Sequence, residues 1–203
     1  MAVKIQNVGV IGAGQMGNGI AHVCALAGYS VHLNDLSADR IKAGMATING
    51  NMARQVGKKS ISEDDRKNAL ARIKPAETYD ALSGCDLVIE TATEKEEVKR
   101  KIFSDVCGSL KPEAILATNT SSISITRLAS STDRPERFIG IHFMNPVPLM
   151  ELVELIRGIA TNDETFETAR GFVAKLGKQV AVSEDFPAFI VNRILLPMIN
   201  EAI

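Results

Sequence analysis

Residues 8–20 read VGVIGAGQMGNGI, and this stretch decides the fold. It opens as a short apolar run, typical of a buried parallel strand, and continues after the last glycine as an apolar helix. Between strand and helix, Gly12 permits a tight turn, Gly14 lets backbone N–H groups reach a pyrophosphate, and Gly17 lets the helix pack closely on the strand. The pattern predicts that a dinucleotide binds with its phosphates at the N-terminus of this helix, in contact with Gln15 and Met16.

An acidic residue stands where a dinucleotide site needs one. Residues 30–35 read as a second strand ending in Asp35, 18 residues beyond Gly17. A carboxylate at this place accepts hydrogen bonds from the adenosine ribose and repels a 2′-phosphate, which favours NAD over NADP. Arg40 follows closely in sequence, so NADP stays open as an alternative.

The composition is typical of a globular protein, and the net charge does not favour binding to strongly charged partners. The 203 residues are 45% hydrophobic and 23% charged, and the formal net charge is −1. That charge gives no overall attraction to nucleic acid or to an acidic membrane. No apolar run approaches the length of a membrane span, and three cysteines without metal-site spacing predict reduced thiols and a cytoplasmic location.

Strand and helix patterns alternate along most of the chain. Beyond the first two strands, further strands are predicted at residues 85–90, 114–119, 138–143, 152–156 and 178–182. Residues 37–74 interrupt the alternation as a helical hairpin, an excursion from the sheet. We therefore predict an α/β fold with a doubly wound, mostly parallel, Rossmann-like sheet, in which ligands bind at the carboxyl ends of the strands.

A domain boundary is predicted near the end of the chain. Residues 1–186 are expected to form the NAD-binding domain, and the segment Asp185-Phe186-Pro187 marks its limit. Residues 187–203 then read as the first helix of an all-α C-terminal domain. This helix is apolar and has no terminator at Ile203, so we expect the chain to be truncated.

Three polar turns follow predicted strands, at the edge where the cofactor is expected. The turns are residues 90–94, with Lys99 a little further on, 119–122 and 142–148. For Glu94 and Lys99, a solvated helix start is as good an interpretation as cofactor contact. For Ser121, the alternative to a functional role is a helix cap.

His142 is the sharpest catalytic candidate. It ends a strand beside a double-proline loop, and Glu154 lies 12 residues later in the next strand. A strand–loop–strand return would bring the carboxylate to the imidazole, and a neutral histidine held by a carboxylate is a general base suited to pH 7. A satisfied core histidine is the alternative. His22 and His32, in the first helix and the second strand, are predicted to be structural.

Four segments together resemble one known family. They are GAGQMG (12–17), NTSS (119–122), HFMNPVP (142–148) and FPAFIVNR (186–193). They are similar to motifs of the L-3-hydroxyacyl-CoA dehydrogenases, closest to bacterial members that act on 3-hydroxybutyryl-CoA, and the resemblance covers the whole chain. It implies oxidation of an (S)-3-hydroxyacyl-CoA to the 3-ketoacyl-CoA with NAD, or the reverse, in a homodimer formed through the C-terminal helical domain. Ala188 stands where the family usually has glycine, a change expected to matter little.

The resemblance also implies roles for the matched residues. His142 would take the C3 hydroxyl proton, while Glu154 would orient and charge-stabilise the imidazole. Ser121 would hydrogen-bond the substrate oxygen, and Asn192 would help to position the substrate near this pair. Asp35 would hold the adenosine ribose.

The remaining implied contacts involve the nicotinamide and the CoA. The nicotinamide side would be lined by Glu94, Lys99 and Asn119. The hairpin would lie over the CoA, whose phosphates would meet Arg54, Lys58 and Lys59. A basic solvated loop is an equally good interpretation of these three residues.

Two other functions stay open. A dehydrogenase of free 3-hydroxy acids shares a GxGxMG-like start but is expected to use a catalytic lysine, which the pair of His142 and Glu154 argues against. A non-catalytic dinucleotide-binding protein of the same fold is the other alternative. The joint presence of that pair with Ser121 and Asn192 argues against it. The sequence holds no metal-ligand cluster, and the predicted chemistry requires a base rather than a metal.

Overall fold

The computed structural model describes residues 4–203, which are built on one eight-stranded sheet. The strands are β1 (Asn7–Ile11), β2 (Ser30–Asn34), β3 (Ile73–Ala76), β4 (Leu87–Glu90), β5 (Ile115–Thr118), β6 (Phe138–Phe143), β7 (Leu152–Arg157) and β8 (Gln179–Glu184). Their spatial order is β3-β2-β1-β4-β5-β6-β7-β8, and every neighbouring pair is parallel except β6 with β7. The predicted doubly wound, mostly parallel sheet is confirmed.

Helices cover both faces of the sheet. They are α1 (Gln15–Leu26), α2 (Ala38–Gly57), α3 (Glu63–Ala71), α4 (Glu96–Cys107), α5 (Ile125–Ala129), α6 (Asp163–Lys175) and α7 (Val191–Glu201). Strand β4 shows how one sequence serves two layers: Leu87 and Ile89 belong to the core with α1 and α6, whereas Val88 belongs to the core with α4 and α5. A strand buried on both faces therefore reads as a continuous apolar run.

Strand β3 is absent from the sequence-based prediction, which extended the helical hairpin to residue 74. In the structure α3 ends at Ala71, and the next residues pair with β2 in parallel, with Ile73 beside Val31. The strand has only four residues and forms the edge of the sheet, where a proline is tolerated because its missing N–H faces outward. Such a short, proline-containing strand carries almost no periodic signal.

The predicted helical hairpin consists of α2 and α3. Both helices start at serine caps, since the Ser37 hydroxyl accepts the Arg40 N–H and Ser62 forms a capping box with Asp65. Helix α2 packs on α1, and a Cβ added at Gly44 would lie 2.9 Å from the Ala13 carbonyl oxygen. The hairpin is therefore fixed directly against the glycine turn.

Helix α7 is largely uncovered. Within residues 4–203 none of its side chains is buried, and the apolar Ile194, Leu196 and Met198 are all more than half exposed. Its covering by an all-α domain stays a prediction. The described part of the chain contains no helix with the length and apolar character needed to cross a membrane.

Candidate active site

The antiparallel pairing of β6 and β7 brings a histidine and a glutamate together. His142 lies directly opposite Glu154 in the register, so both side chains stand on the same face. The distance from His142 Nδ1 to Glu154 Oε2 is 2.6 Å, and the carboxylate side chain is fully buried. An ionised carboxylate only accepts hydrogen bonds, so Nδ1 carries the proton and Nε2 is left as the basic nitrogen.

The second carboxylate oxygen of Glu154 is also bound. Oε1 accepts hydrogen bonds from the backbone N–H groups of Ile190 and Val191, each at 2.9 Å. Burial on its own would raise the pKa of Glu154, but the hydrogen bonds from His142, Val191 and Ile190 outweigh it and bring the pKa below its ordinary value. The carboxylate is therefore ionised at neutral pH and holds the histidine in one tautomer.

The backbone just before α7 has an unusual conformation. Ala188 and Phe189 have φ angles of 66° and 51°, in the left-handed region. This conformation costs an L-residue roughly 1–2 kcal/mol but suits glycine. The change to alanine at position 188, which sequence reasoning expected to matter little, thus falls at a position where glycine would relieve backbone strain.

Glu94 organises the polar turn after β5. Its Oε1 accepts hydrogen bonds from the Thr120 hydroxyl at 2.6 Å, the Ser121 N–H at 2.7 Å and the Ser121 hydroxyl at 2.9 Å. Burial on its own would raise the pKa of Glu94. The hydrogen bonds from these donors and the positive charge of Lys99 have a larger opposite effect, so the pKa lies below its ordinary value. Ser121 is not a helix cap, because Ser124 caps α5. Its bond to a substrate oxygen stays a prediction.

Lys99 is buried rather than solvated. Only 1% of its side chain is exposed, and Nζ lies 2.6 Å from Glu90 Oε2 and 3.7 Å from Glu94 Oε2. Glu90 also accepts a hydrogen bond of 3.0 Å from the Thr118 hydroxyl. The interpretation of Lys99 as part of a solvated helix start is wrong. Sequence reasoning placed Glu90 in the polar turn of residues 90–94 but gave it no role, because its pairing with Lys99 is a tertiary contact.

Two asparagines connect the polar turn to its surroundings. Asn119 Oδ1 accepts the Phe143 N–H at 2.8 Å, which ties the end of β5 to the end of β6. Asn192, in the first turn of α7, donates from Nδ2 to the Ser121 carbonyl oxygen at 3.1 Å. The segment that begins α7 therefore contacts both the polar turn and the carboxylate of Glu154.

These side chains surround a cavity of about 640 Å³ at the carboxyl ends of the strands. Its lining includes the predicted residues Met16, Glu94, Lys99, Asn119, Ser121, His142 and Asn192. Glu154 lies behind His142, and three apolar residues, Met144, Met150 and Leu195, complete part of the wall. The structure thus brings together groups that the sequence separates by more than 170 positions.

The glycine turn has the geometry of a phosphate-binding loop. Gly12 has a φ of 102°, and a Cβ added at Gly17 would lie only 1.7 Å from the Gly12 carbonyl oxygen. A Cβ at Gly14 would meet no heavy atom of residues 4–203 within 4 Å, so the space beside it is left open. Asp35 anchors the turn, because its Oδ2 accepts the Ala13 N–H at 2.7 Å.

A second cavity, of about 520 Å³, lies beside this turn. It is lined by Gly12, Asp35 and Arg40, with Leu36 and Tyr79 adding apolar and aromatic surface. The cavity suits an adenosine, the open face of the glycine turn suits a pyrophosphate, and the first cavity suits a nicotinamide. The residues present therefore fit an extended dinucleotide.

Two glycine substitutions should separate folding from cofactor binding. We expect Gly17→Ala to lower the free energy of unfolding by several kcal/mol, since its Cβ would clash with the Gly12 carbonyl oxygen. Gly14→Ala should fold normally, but NADH should bind it at least tenfold more weakly because the methyl group occupies the phosphate side. Chemical denaturation and NADH fluorescence titration measure the two effects. Normal NADH affinity in folded Gly14→Ala would contradict this assignment of the loop.

The three basic residues predicted to meet the CoA line none of the cavities described here. A third cavity, of about 530 Å³, lies between the start of α1, helix α2 and residues 145–148, and Asn51 lines it. Arg54, Lys58 and Lys59 do not, although the Arg54 guanidinium donates to the Asn51 side chain. Contact of these three residues with CoA phosphates stays a prediction. Across residues 4–203, no group of three or more histidine, cysteine or acidic side chains is placed to hold a metal ion.

Comparison with known proteins identifies the family. Residues 7–186 match the family model described as 3-hydroxyacyl-CoA dehydrogenase, NAD binding domain. The chain belongs to the 3-hydroxyacyl-CoA dehydrogenase family. The glycine turn and its two flanking cavities therefore lie in the NAD-binding domain of a 3-hydroxyacyl-CoA dehydrogenase.

Several relatives of this dehydrogenase chain are similar over nearly all of its length. It is 77% identical over 203 residues to a 3-hydroxybutyryl-CoA dehydrogenase of Bradyrhizobium diazoefficiens, covering 100% of this chain and 69% of that protein. It is 40% identical to a 3-hydroxyadipyl-CoA dehydrogenase of Escherichia coli, covering 100% of this chain and 42% of that protein. The crystal structure of (S)-3-hydroxybutyryl-CoA dehydrogenase PaaH1 from Ralstonia eutropha superposes with a TM-score of 0.96 at 48% identity, over 98% of this chain and 70% of that one.

Proposed function

We propose that this chain catalyses the NAD-dependent interconversion of an (S)-3-hydroxyacyl-CoA, specifically 3-hydroxybutyryl-CoA, and the corresponding 3-ketoacyl-CoA. The observation that carries the proposal is the pair of His142 and Glu154, 2.6 Å apart at the wall of a cavity that Met16 of the glycine turn also lines. Hydride transfer requires a proton acceptor next to the nicotinamide, and this arrangement supplies one.

His142 would act as the base in the oxidation. Its Nδ1 proton is committed to Glu154, so Nε2 takes the proton from the C3 hydroxyl as the C3–H bond breaks and the C3=O bond forms. The imidazolium that results is stabilised by the ionised carboxylate. In the reverse direction, the imidazolium returns this proton to the C3 oxygen. When bound, NAD supplies the acceptor for the hydride that leaves C3.

The other cavity residues would orient the reactants. Ser121 and Asn192 line the same cavity and would offer polar groups to the substrate oxygen and the acyl thioester. Asn119 and the buried Lys99 would contact the nicotinamide end of the cofactor. The cavity beside Asn51 lies along α2, and we propose that it receives part of the CoA.

The dimer, the cellular location and the need for a CoA substrate are also proposals. The exposed apolar face of α7 would be covered by an all-α C-terminal domain through which the protein dimerises, and residues 187–203 would form its first helix. A cytoplasmic location agrees with three free, buried cysteines. A dehydrogenase of free 3-hydroxy acids is the second enzyme candidate, because it would share the NAD-binding turn but not a need for CoA.

The test of this proposal is an assay of NADH oxidation with acetoacetyl-CoA. The complete natural protein that contains residues 1–203 should turn over acetoacetyl-CoA with NADH, should be much slower with NADPH because of Asp35, and should not reduce free acetoacetate. Reduction of free acetoacetate at a similar rate would favour the second candidate. NADH binding without any turnover of either compound would favour a non-catalytic dinucleotide-binding protein and would overturn the proposal.

A further inference from the structure

A phenylalanine outside the predicted site contacts the catalytic histidine. Phe189 is 3% exposed, and its ring lies edge-on to the His142 imidazole with 6.0 Å between centroids and an interplanar angle of 60°. This geometry is an attractive aromatic contact. The imidazole is therefore held by Glu154 through Nδ1 and by a T-shaped contact with the Phe189 ring.

The backbone of the same residue acts on the other member of the pair. Phe189 has a φ of 51°, which is a rare conformation for a bulky residue and persists only where its surroundings enforce it. The left-handed turn directs the next two N–H groups, those of Ile190 and Val191, to Glu154 Oε1. A single residue thus contacts the base with its ring and orients the carboxylate through its backbone.

The turn is anchored on its other side by a carboxylate. Asp185 accepts hydrogen bonds from the Ser124 hydroxyl at 2.7 Å and from the N–H groups of Ile125 and Thr126, each at 2.8 Å. The N–H of Phe189 is bound as well, to the Phe186 carbonyl oxygen at 3.0 Å. The segment between Asp185 and α7 is therefore fixed at both ends and cannot relax without losing these contacts.

We propose that Phe189 is a positioning residue for the reaction, which fixes His142 through its ring and Glu154 through its left-handed backbone. The proposal rests on the proposed function. A positioning role and a purely structural role of Phe189 predict different effects on catalysis. Loss of the ring should misplace the imidazole relative to the C3 hydroxyl and weaken its contact with the carboxylate, while the cavity walls that bind the substrate stay in place.

The experiment compares two phenylalanine-to-leucine variants in the complete natural protein. Phe138 provides the matched control, because it is fully buried in the same hydrophobic cluster as Phe189 and makes its own edge-on contact, with Phe103 at 4.8 Å. Steady-state kinetics with acetoacetyl-CoA and NADH give kcat and KM, and thermal unfolding shows that both variants are folded at the assay temperature. Phe189→Met serves as the second variant if Phe189→Leu does not fold.

We expect Phe189→Leu to lower kcat by about 10- to 100-fold, the effect of a small misplacement of a catalytic group, with KM within about threefold of wild type. Phe138→Leu should lower the unfolding temperature but leave kcat and KM unchanged.

Equal kcat values in the two leucine variants would overturn the positioning role, whether kcat is unchanged in both or lowered to the same extent, because an equal fall would reflect stability alone. Failure of the wild-type protein to reduce acetoacetyl-CoA is a separate outcome: it would overturn the proposed function itself, and with it this inference.

Discussion

Replacing His142 by glutamine should lower kcat for acetoacetyl-CoA reduction by about 10³-fold, within the range of 10²- to 10⁴-fold that a positioned acid–base group contributes. Glutamine has a similar size, and its amide can still hydrogen-bond to Glu154, but it cannot hold or release a proton at neutral pH. NADH binding should change little, since the glycine turn and the cavity beside Asp35 are not altered. The measurements are steady-state turnover and NADH fluorescence titration.

His22→Gln is the control for this variant. His22 is also completely buried and also makes a hydrogen bond, of 2.9 Å to the Gln55 side chain, but it lines none of the three cavities described above. Its removal should cost stability and leave kcat near that of the wild type. If His142→Gln were as active as His22→Gln, His142 would not be the base.

Local sequence signals were sufficient to predict the fold class. The glycine turn, the apolar runs of the strands and the serine caps at Ser37 and Ser62 are all short-range features, and the structure contains each of them. The edge strand Ile73–Ala76 was missed because its pairing with β2 is a tertiary contact between residues about 40 positions apart, and four residues with a proline give no period-2 pattern.

The pairing of His142 with Glu154 could be predicted from the sequence for a different reason. A short connection between two strands favours an antiparallel return, so a histidine before the loop and a glutamate after it are natural partners, and the register places His142 opposite Glu154. The burial of Lys99 could not be predicted from the sequence in this way. It depends on Glu90 at 2.6 Å, and an ion pair between a strand end and a helix cannot be told from two solvated charges without the fold.

The contacts of the segment before α7 were the hardest to predict from the sequence. Sequence similarity singled out residues 186–193, but the decisive interactions are made by backbone atoms, namely the N–H groups of Ile190 and Val191 on Glu154 and the left-handed angles of Ala188 and Phe189. Any residue type except proline has such an N–H group. Backbone donors therefore leave no compositional signal, and their partners become visible only in three dimensions.

Replacing Glu154 by glutamine should have an effect of similar size, lowering kcat by about 10²- to 10³-fold. The N–H groups of Ile190 and Val191 require an acceptor, so they would select the carbonyl oxygen of the glutamine and turn its NH₂ group towards His142. That NH₂ group needs a lone pair on Nδ1, which forces the imidazole into the tautomer with a proton on Nε2. The histidine could then no longer accept the substrate proton in the oxidation, and the imidazolium that donates it in the reduction would have its Nδ1–H against the NH₂ group.

The control is Glu151→Gln, which makes the same change at an exposed position just before β7 and should keep wild-type kcat.

The pH dependence of stability supplies a second test of Glu154. The pKa of Glu154 is lowered in the folded protein from its ordinary value of 4.5, so the carboxylate stabilises the wild type above that pH, and this contribution is lost as the pH falls through the lower folded pKa. Glutamine does not titrate, so the stability advantage of the wild type over Glu154→Gln, measured by denaturant unfolding, should be constant at neutral pH and shrink as the pH falls below 4.5, through the lower folded pKa. A difference independent of pH, together with wild-type kcat in Glu154→Gln, would mean that the carboxylate neither ionises against the histidine nor sets its tautomer.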